Sequence, residues 1–379
     1  MRKIRIPHLE RVVSALMFRS FLACNAFALL AWAVPVFQVQ AIGPAGFNSS
    51  ATAISGTGAV VGNFLQTDGT YRAFLWQNGQ VTTLAMPAGS VQTWATAIGG
   101  SGQAGGYTDS RQAPQGIIWD NFGKPVATAG AYVMGLNANG DAAGMGIGSD
   151  GSGYAFVTRN GVMTSLGQPA GGDWSSANAI NSAGTAAGTT MNGSGSFRAF
   201  TSAADGAIAL LAGLGGANSY AKAISDIGVV AGHSQTANGA LRATVWNGST
   251  ATGLGTVGGV NSYAYAINAA GQVAGYSDLP GDAGTSAFLY DNGVLHDLNG
   301  LIGPGSAWQL LAAYGMNNSG QIVGRGLYNG QEQAFLLTPS FETSAAALLA
   351  DTAIPEPATF LLVAAPILAY FALRSRHRL

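Results

Sequence analysis

The sequence predicts an all-β fold, a seven-bladed β-propeller of four-stranded antiparallel blades, plus one C-terminal transmembrane helix. Three observations predict it. A 12-residue pattern recurs seven times, Asn-Gly or Asp-Gly dipeptides sit between alternating apolar runs, and the chain ends in an apolar stretch followed by arginines.

The recurring pattern begins as "ATAISGTGAVVG" at residue 51 and returns at 95, 133, 177, 221, 264 and 313, for example as "ANAINSAGTAAG" and "AYAINAAGQVAG". The intervals are 44, 38, 44, 44, 43 and 49 residues. Repetition at this period marks a ring, solenoid or array rather than a single irregular domain. Each pattern is a hairpin in which "A-x-A-I" turns through "N/S-x-x-G" into "x-V-x-G". A second hairpin follows, as in "YRAFLWQNGQVTTL" (71–84), with Asn-Gly at 78, 160, 247 and 292 and Asp-Gly at 205. These dipeptides accept the positive φ angles of tight β-hairpin turns. "QGIIWDNFGKPVAT" (115–128) is a degenerate version of this second half.

Four short strands in about 44 residues is the size of one propeller blade. A parallel β-helix coil is normally shorter and carries no such hairpin. The paired alanines of "A-x-A-I" suit an innermost strand, where the blades converge. Phe74, Trp76, Trp119, Phe156, Phe200, Trp246 and Phe288 fall in the third strand, where splaying blades leave more volume to fill.

The seventh copy supplies a third strand, "QEQAFLLTPS" (331–340), and no fourth. The opening stretch "QVQAIGPAGFNSSATAIS" matches the junction between a fourth strand and the next inner strand. Residues 36–42 are therefore expected to pair antiparallel with 333–338 and close the last blade. That pairing would remove an exposed strand edge.

Residues 1–33 have a basic start, an apolar run from Phe21 to Ala33, and a small-x-small ending at Ala31-Trp32-Ala33. This is the layout of a secretory signal peptide cleaved after Ala33. An uncleaved anchor is the alternative, and "FLAC" around Cys24 is a poor lipoprotein site. Cleavage removes the only cysteine, which leaves a mature chain without disulfides. The expected organisation is signal peptide 1–33, propeller 34–339, linker 340–353 and a C-terminal segment 354–379.

Only 9% of the 379 residues are charged, and 56 are glycine. Between residues 34 and 353, eight Lys/Arg face fifteen Asp/Glu, a balance that argues against nucleic acid and anionic lipid as partners. No catalytic constellation stands out. Beyond the signal only His233, His296 and His377 remain, none beside a nucleophile-elbow motif. Asp68, Asp109, Asp150, Asp205 and Asp291 lie beside turns, where capping accounts for them. "GSDGSG" (148–153) has too few carboxylates for a calcium loop. No metal, cofactor or enzymatic activity is expected.

The repeat resembles the HAF family of extracellular repeats, through Arg-Ala-Phe at 72–74 and 198–200, Tyr-Ala-Phe at 154–156, Ser-Ala-Phe at 286–288 and Gln-Ala-Phe at 333–335. No copy keeps His at the first position. The resemblance covers about residues 36–338 and implies an exported repeat protein with no reaction to carry over.

The C-terminus, "IPEPATFLLVAAPILAYFALRSRHRL", resembles the PEP-CTERM sorting signal: Pro355, Glu356 and Pro357, an apolar run from Ala358 to Leu373, then Arg374, Arg376 and Arg378. Sixteen apolar residues make a helix a little short for a bilayer core of roughly 30 Å, which local thinning and snorkelling arginines accommodate. The basic tail favours the cytoplasmic side. The prolines keep the preceding backbone extended. The resemblance implies processing by an exosortase in the inner membrane of a Gram-negative, exopolysaccharide-producing cell. A plain membrane anchor is the alternative, and both leave the ring outside the cytoplasm.

One set of residues is a candidate ligand rim. Phe47, Trp94, Tyr132, Trp174, Tyr220, Tyr263 and Trp308 precede the inner strands, on connections expected to share one face. Aromatic faces beside Asn, Ser and Gly suit a sugar, and packing over the blade junctions is the competing role. The expected function is a non-enzymatic cell-surface or matrix protein, with exopolysaccharide as a candidate partner. An extracellular glycan hydrolase or lyase is the alternative.

Overall fold

The computed structural model describes residues 36–110, 114–128, 131–168, 172–203 and 206–340. Among them are 28 strands and two 3-10 turns, Pro280–Asp282 and Leu298–Leu301. The strands form five four-stranded antiparallel sheets and one eight-stranded sheet. The eight-stranded sheet joins the third and fourth copies of the repeat through a single parallel pair, Gly153 with Trp174. Within each copy the strands follow chain order from an inner strand outwards, except that the outermost strand of the last sheet is Val36–Ala41, and neighbouring copies pack side by side around a common axis. This is the arrangement of a β-propeller.

The turn residues produce the expected hairpins. Asn78, Asn160 and Asn292 have φ near +50°, each followed by a positive-φ glycine, which is the two-residue turn that Asn-Gly favours. Asn329-Gly330 makes the same turn between strands Ile322–Tyr328 and Gln331–Ser340. At 247 the reading is corrected by one residue. Asn247 pairs with Thr250, so the turn is Gly248-Ser249, with the glycine taking the positive φ. Asp205 lies outside the described residues.

Every inner strand carries a bulge within the "A-x-A" element. The register shifts between Ala51 and Ala53, Ala95 and Ala97, Val133 and Gly135, Ala177 and Ala179, Ala221 and Ala223, Ala264 and Ala266, and Ala313 and Gly315. A bulge leaves one extra residue unpaired and re-aims its side chain. It also explains the glycine that ends each pattern. A Cβ on Gly62, Gly106, Gly144, Gly188, Gly232, Gly275 or Gly324 would fall on a backbone carbonyl of its own inner strand. In four copies the facing third-strand Phe occupies the same space, as Phe200 does over Gly188.

Neighbouring copies are sewn together by two recurring hydrogen bonds. The backbone N–H of Ala73, Ala155, Ala199 and Ala243 donates to a buried hydroxyl on the next inner strand: Thr93, Ser175, Ser219 and Ser262. In the first three of these it is the alanine of the "A-F" element, and at Ala243 the next residue is Thr244. At the other end of the inner strands, buried turn asparagines reach across: Asn137 Nδ2 donates to Asn181 O, and Asn181 Nδ2 to Ser225 O. The third-strand aromatics Phe74, Trp119, Phe156, Phe200, Trp246 and Phe288 are fully buried, with Trp76 partly so. Trp119 and Trp246 also donate Nε1–H to the preceding copy, at Ala85 O and Ala212 O.

The first and last described strands close the ring. Val36–Ala41 pairs antiparallel with the last strand, from Val36 opposite Ser340 to Ala41 opposite Phe335, and Ile42 N–H continues the ladder to Ala334 O at 3.0 Å. One core cluster joins Ile42 and Ala51 with Val323, Ala334 and Leu336, drawing on the first and last copies of the repeat. Ala334 N–H donates to Ser49 Oγ at 3.0 Å, repeating the bond made between other neighbours.

Among the described residues no helix is long and apolar enough to cross a membrane. The expected C-terminal helix, the sorting residues 355–357, 374, 376 and 378, and the cleavage residues Ala31 and Ala33 all lie outside the described residues.

Candidate functional site

Six of the rim aromatics stand inside strands rather than on the connections that precede them. Trp94, Tyr132, Trp174, Tyr220, Tyr263 and Trp308 all pair with the second strand of their sheet, and Phe47 alone precedes its strand. The physical reason is that the ladder extends beyond "A-x-A-I" on the N-terminal side, so these residues are held at fixed positions by hydrogen bonding on one edge. All seven are half-buried.

Ring contacts run between them, through His233 and through aromatic residues outside the candidate rim. Tyr71, Trp94, Tyr107 and Tyr132 form one run, with Trp94 stacked on Tyr107 at 5.0 Å. A longer run links Trp174, Phe197, Tyr220, His233, Tyr263, Tyr276, Tyr265 and Tyr314 at 4.8–5.9 Å between centroids. Phe47 packs on Phe64, and Trp308 on Tyr328 and Phe335. Several contacts cross from one copy to the next, so part of the rim does pack over junctions.

Two clefts open beside it. One, of about 780 Å³, is lined by Trp174, Phe197 and Met191 with Asp150, Ser152 and Asp173. Phe197 meets Trp174 in a T-shaped contact, at 86° between ring planes and 5.9 Å between centroids. The other, of about 370 Å³, is lined by Trp94 and Tyr71 with Asn48, Ser50, Asn63 and Glu332. Asp150 Oδ1 accepts from both N–H and Oγ of Ser152, which holds its carboxyl below the ordinary range and leaves it ionised.

A third space lies on the axis. This cavity of about 180 Å³ is lined by the inner strand of every copy, including Thr52, Thr96, Met134, Asn178, Ala223, Tyr265 and Tyr314. Most of these are the bulged "x" residues of "A-x-A". Around them, Tyr265 and Tyr276 share a hydrogen bond, and burial raises both phenols above their usual value. Arg325 Nε donates to Tyr314 OH at 3.1 Å, and its guanidinium pairs with Glu332 at 3.3 Å. His233 is 7% exposed, its Nδ1 has no hydrogen-bond partner, and burial together with the Lys222 charge lowers its pKa to about 3. His296 sits on a separate outer strand, Val294–Asp297. Among the described residues no three His, Cys, Asp or Glu side chains converge as a metal site.

No known protein-family profile matches the chain. No curated protein matches it in sequence. Solved structures do resemble it. A chain of the mitotic checkpoint complex is 12% identical, over 81% of this chain and 93% of that one, with a TM-score of 0.50. The β-propeller domain of the Trilobed protease from Pyrococcus furiosus is 8% identical over 76% and 95%, at 0.49. A TolB-like protein from Agrobacterium tumefaciens is 12% identical over 80% and 98%, at 0.41. Likeness at such identities concerns the fold alone.

Proposed function

We propose that this chain is a seven-bladed propeller exported from a Gram-negative cell, where it acts as a non-enzymatic surface or matrix module that binds exopolysaccharide through its aromatic rim. Seven copies of the repeat and the closing strand Val36–Ala41 support the blade count. The signal-like N-terminus and the PEP-CTERM-like tail support export, transient anchoring in the inner membrane and processing by an exosortase-type enzyme.

The observation that carries the binding reading is the Trp174 cleft. An indole held by a strand ladder lines the same cleft as two aspartates and a serine, the combination of flat apolar surface and polar partners that a sugar ring requires. Trp94 offers a second, smaller contact of the same chemistry. Replacing Trp174 with alanine should abolish co-sedimentation with the producing cell's polysaccharide while shifting the melting temperature little. A large fall in melting temperature with binding retained would make the aromatic a packing residue and overturn the reading.

Glycan cleavage is the second reading, because Asp150 and Asp173 line one cleft. Glycosidases need one carboxyl kept protonated as a general acid. Asp150 is shifted the opposite way. Turnover of the polysaccharide that disappears in Asp173→Asn would establish the enzyme in place of the binder. Fractionating cells with and without the exosortase, with mass spectrometry of the mature ends, tests the sorting reading. Arg374 to Leu379 retained in the surface form would contradict it.

A further inference from the structure

The Trp174 cleft lies where the repeat departs from its own pattern. At three other junctions the residue three places before the first alanine of "A-x-A-I" is an amide. Its oxygen accepts from the N–H that opens the third strand of the preceding copy: Gln92 from Tyr71 at 3.1 Å, Asn218 from Phe197 at 2.9 Å and Asn261 from Leu241 at 3.0 Å. In the fourth copy the corresponding residue is Trp174, and the residue opposite it is Gly153. Their backbones pair directly, which replaces the amide clamp. A Cβ on Gly153 would fall 2.6 Å from the indole, so the glycine makes the room that the larger ring takes. A paired break with the local rule is expected at a functional site rather than in the packing of a repeat.

The cleft is also one-sided in charge. Asp150 and Asp173 are the only ionisable side chains that line it, and both are exposed. Neither makes an ion pair with a described residue. In the Trp94 cleft, by contrast, the one carboxylate is Glu332, which Arg325 matches at 3.3 Å. A groove of one sign between apolar walls concentrates its field on whatever enters. Aromatic rings attract the same sign of charge as carboxylates do, so the two together favour an organic cation. At about 780 Å³ the cleft has the size of a site for a small organic ligand.

We infer that the Trp174 cleft recognises an amino sugar in its ammonium form, with the cation on Asp150 and Asp173 and the apolar face of the sugar ring on the indole. The inference rests on the proposed binding of polysaccharide by this cleft and names the class: a polymer that carries free, non-acetylated amines.

The test is calorimetric titration of the full-length gene product with a glucosamine tetramer and its fully N-acetylated counterpart, in a buffer that keeps the amines protonated. The glucosamine tetramer should bind at least tenfold more tightly. Asp150→Asn combined with Asp173→Asn should remove that preference, and an asparagine at 150 still offers an oxygen to Ser152, so the turn is kept. Asp68→Asn is the control for net charge. Asp68 caps an equivalent turn, accepting from Thr70 N–H and Oγ1, and lines neither cleft. It should leave the preference intact. No binding of the glucosamine tetramer, equal affinity for the two tetramers, or a preference that survives the double aspartate variant would overturn the inference. Binding that vanishes when calcium is chelated would make the aspartates metal ligands and overturn it as well. Trp174→Gln, which supplies the amide of the other junctions, separates this inference from the reading it rests on. Polymer lost in that variant, with equal affinity for the two tetramers in the unaltered protein, sinks the charge selection alone. A glucosamine preference that depends on the aspartates, in a protein that captures no polymer, sinks the polysaccharide reading and leaves an ammonium site for a free amino sugar.

Discussion

Asn317 donates through Nδ2 to the backbone carbonyl of Ser55 at 3.1 Å, across 262 residues of chain. The same asparagine orders its own turn, its Oδ1 accepting from Ser319 N–H and Gln321 N–H. One side chain thus fixes a local hairpin and joins the last copy of the repeat to the first. Asn137, Asn181 and Asn268 do the equivalent between other neighbours. Asn317→Ala should cost about 1–3 kcal/mol, because a buried carbonyl and two turn N–H groups lose their partner together. Urea unfolding checks this, and Ser319→Ala, at an exposed neighbour in the same turn, serves as the control.

The closing strand is held by its side chains as well as its ladder. Phe37 is 4% exposed and belongs to the core cluster of the last sheet. Phe37→Ala should lower stability by about 3–5 kcal/mol. Removal of residues 36–42 should do more, leaving Gln331–Ser340 as a bare edge that pairs between molecules. Concentration-dependent association, followed by light scattering, is the expected outcome.

Gly188 is expected to tolerate no side chain. A methyl there meets Ser176 O and the Phe200 ring at once, and neither backbone nor buried aromatic has room to retreat. Gly188→Ala should cost at least the roughly 1–3 kcal/mol of an overpacked core. Gly151→Ala meets no neighbour within 4 Å, although its positive φ of +82° adds some strain of its own. Thermal melts of the two variants should rank them in that order.

His233 gives a dependence on pH. Its pKa falls from 6.5 to about 3 on folding, first through burial and then through Lys222. The groups packed against it are the rings of Tyr220 and Tyr263, neither of which supplies a negative charge at neutral pH. The unfolded chain therefore binds the proton more readily. The imidazole's contribution is intact above about pH 6.5 and is lost progressively as pH falls towards 3. His233→Phe should flatten the stability profile in that window, measured by urea midpoint against pH.

Much of the fold was legible because the sequence says the same thing seven times. The Asn-Gly turns, the alanine strands and the orphan third strand at 331–340 each carry a local physical requirement that shows in residue type. The bulges were not legible, since the "x" of "A-x-A" varies from Thr to Met to Lys and only its unpaired backbone defines it. Consequently Lys222, Tyr265 and Tyr314 looked like ordinary strand residues. The rim aromatics were found but placed on connections, because nothing in their type tells where a ladder begins. The runs of rings through Tyr107, Phe197 and Tyr276 depend on which copies are neighbours, and a single strand's pattern does not contain that.

The central claim is that the first and last described strands meet to close the ring, and a crosslink tests it most directly. Gln38 and Thr338 are exposed and directly opposed on the paired strands. In a chain with Cys24→Ser, the double variant Gln38→Cys and Thr338→Cys should form a disulfide under mild oxidation, given the short Cα separation of opposed residues. The crosslinked protein should run faster on non-reducing gels and melt at a higher temperature. Thiols that stay free under the same oxidation, with the protein otherwise folded, would contradict the closed ring.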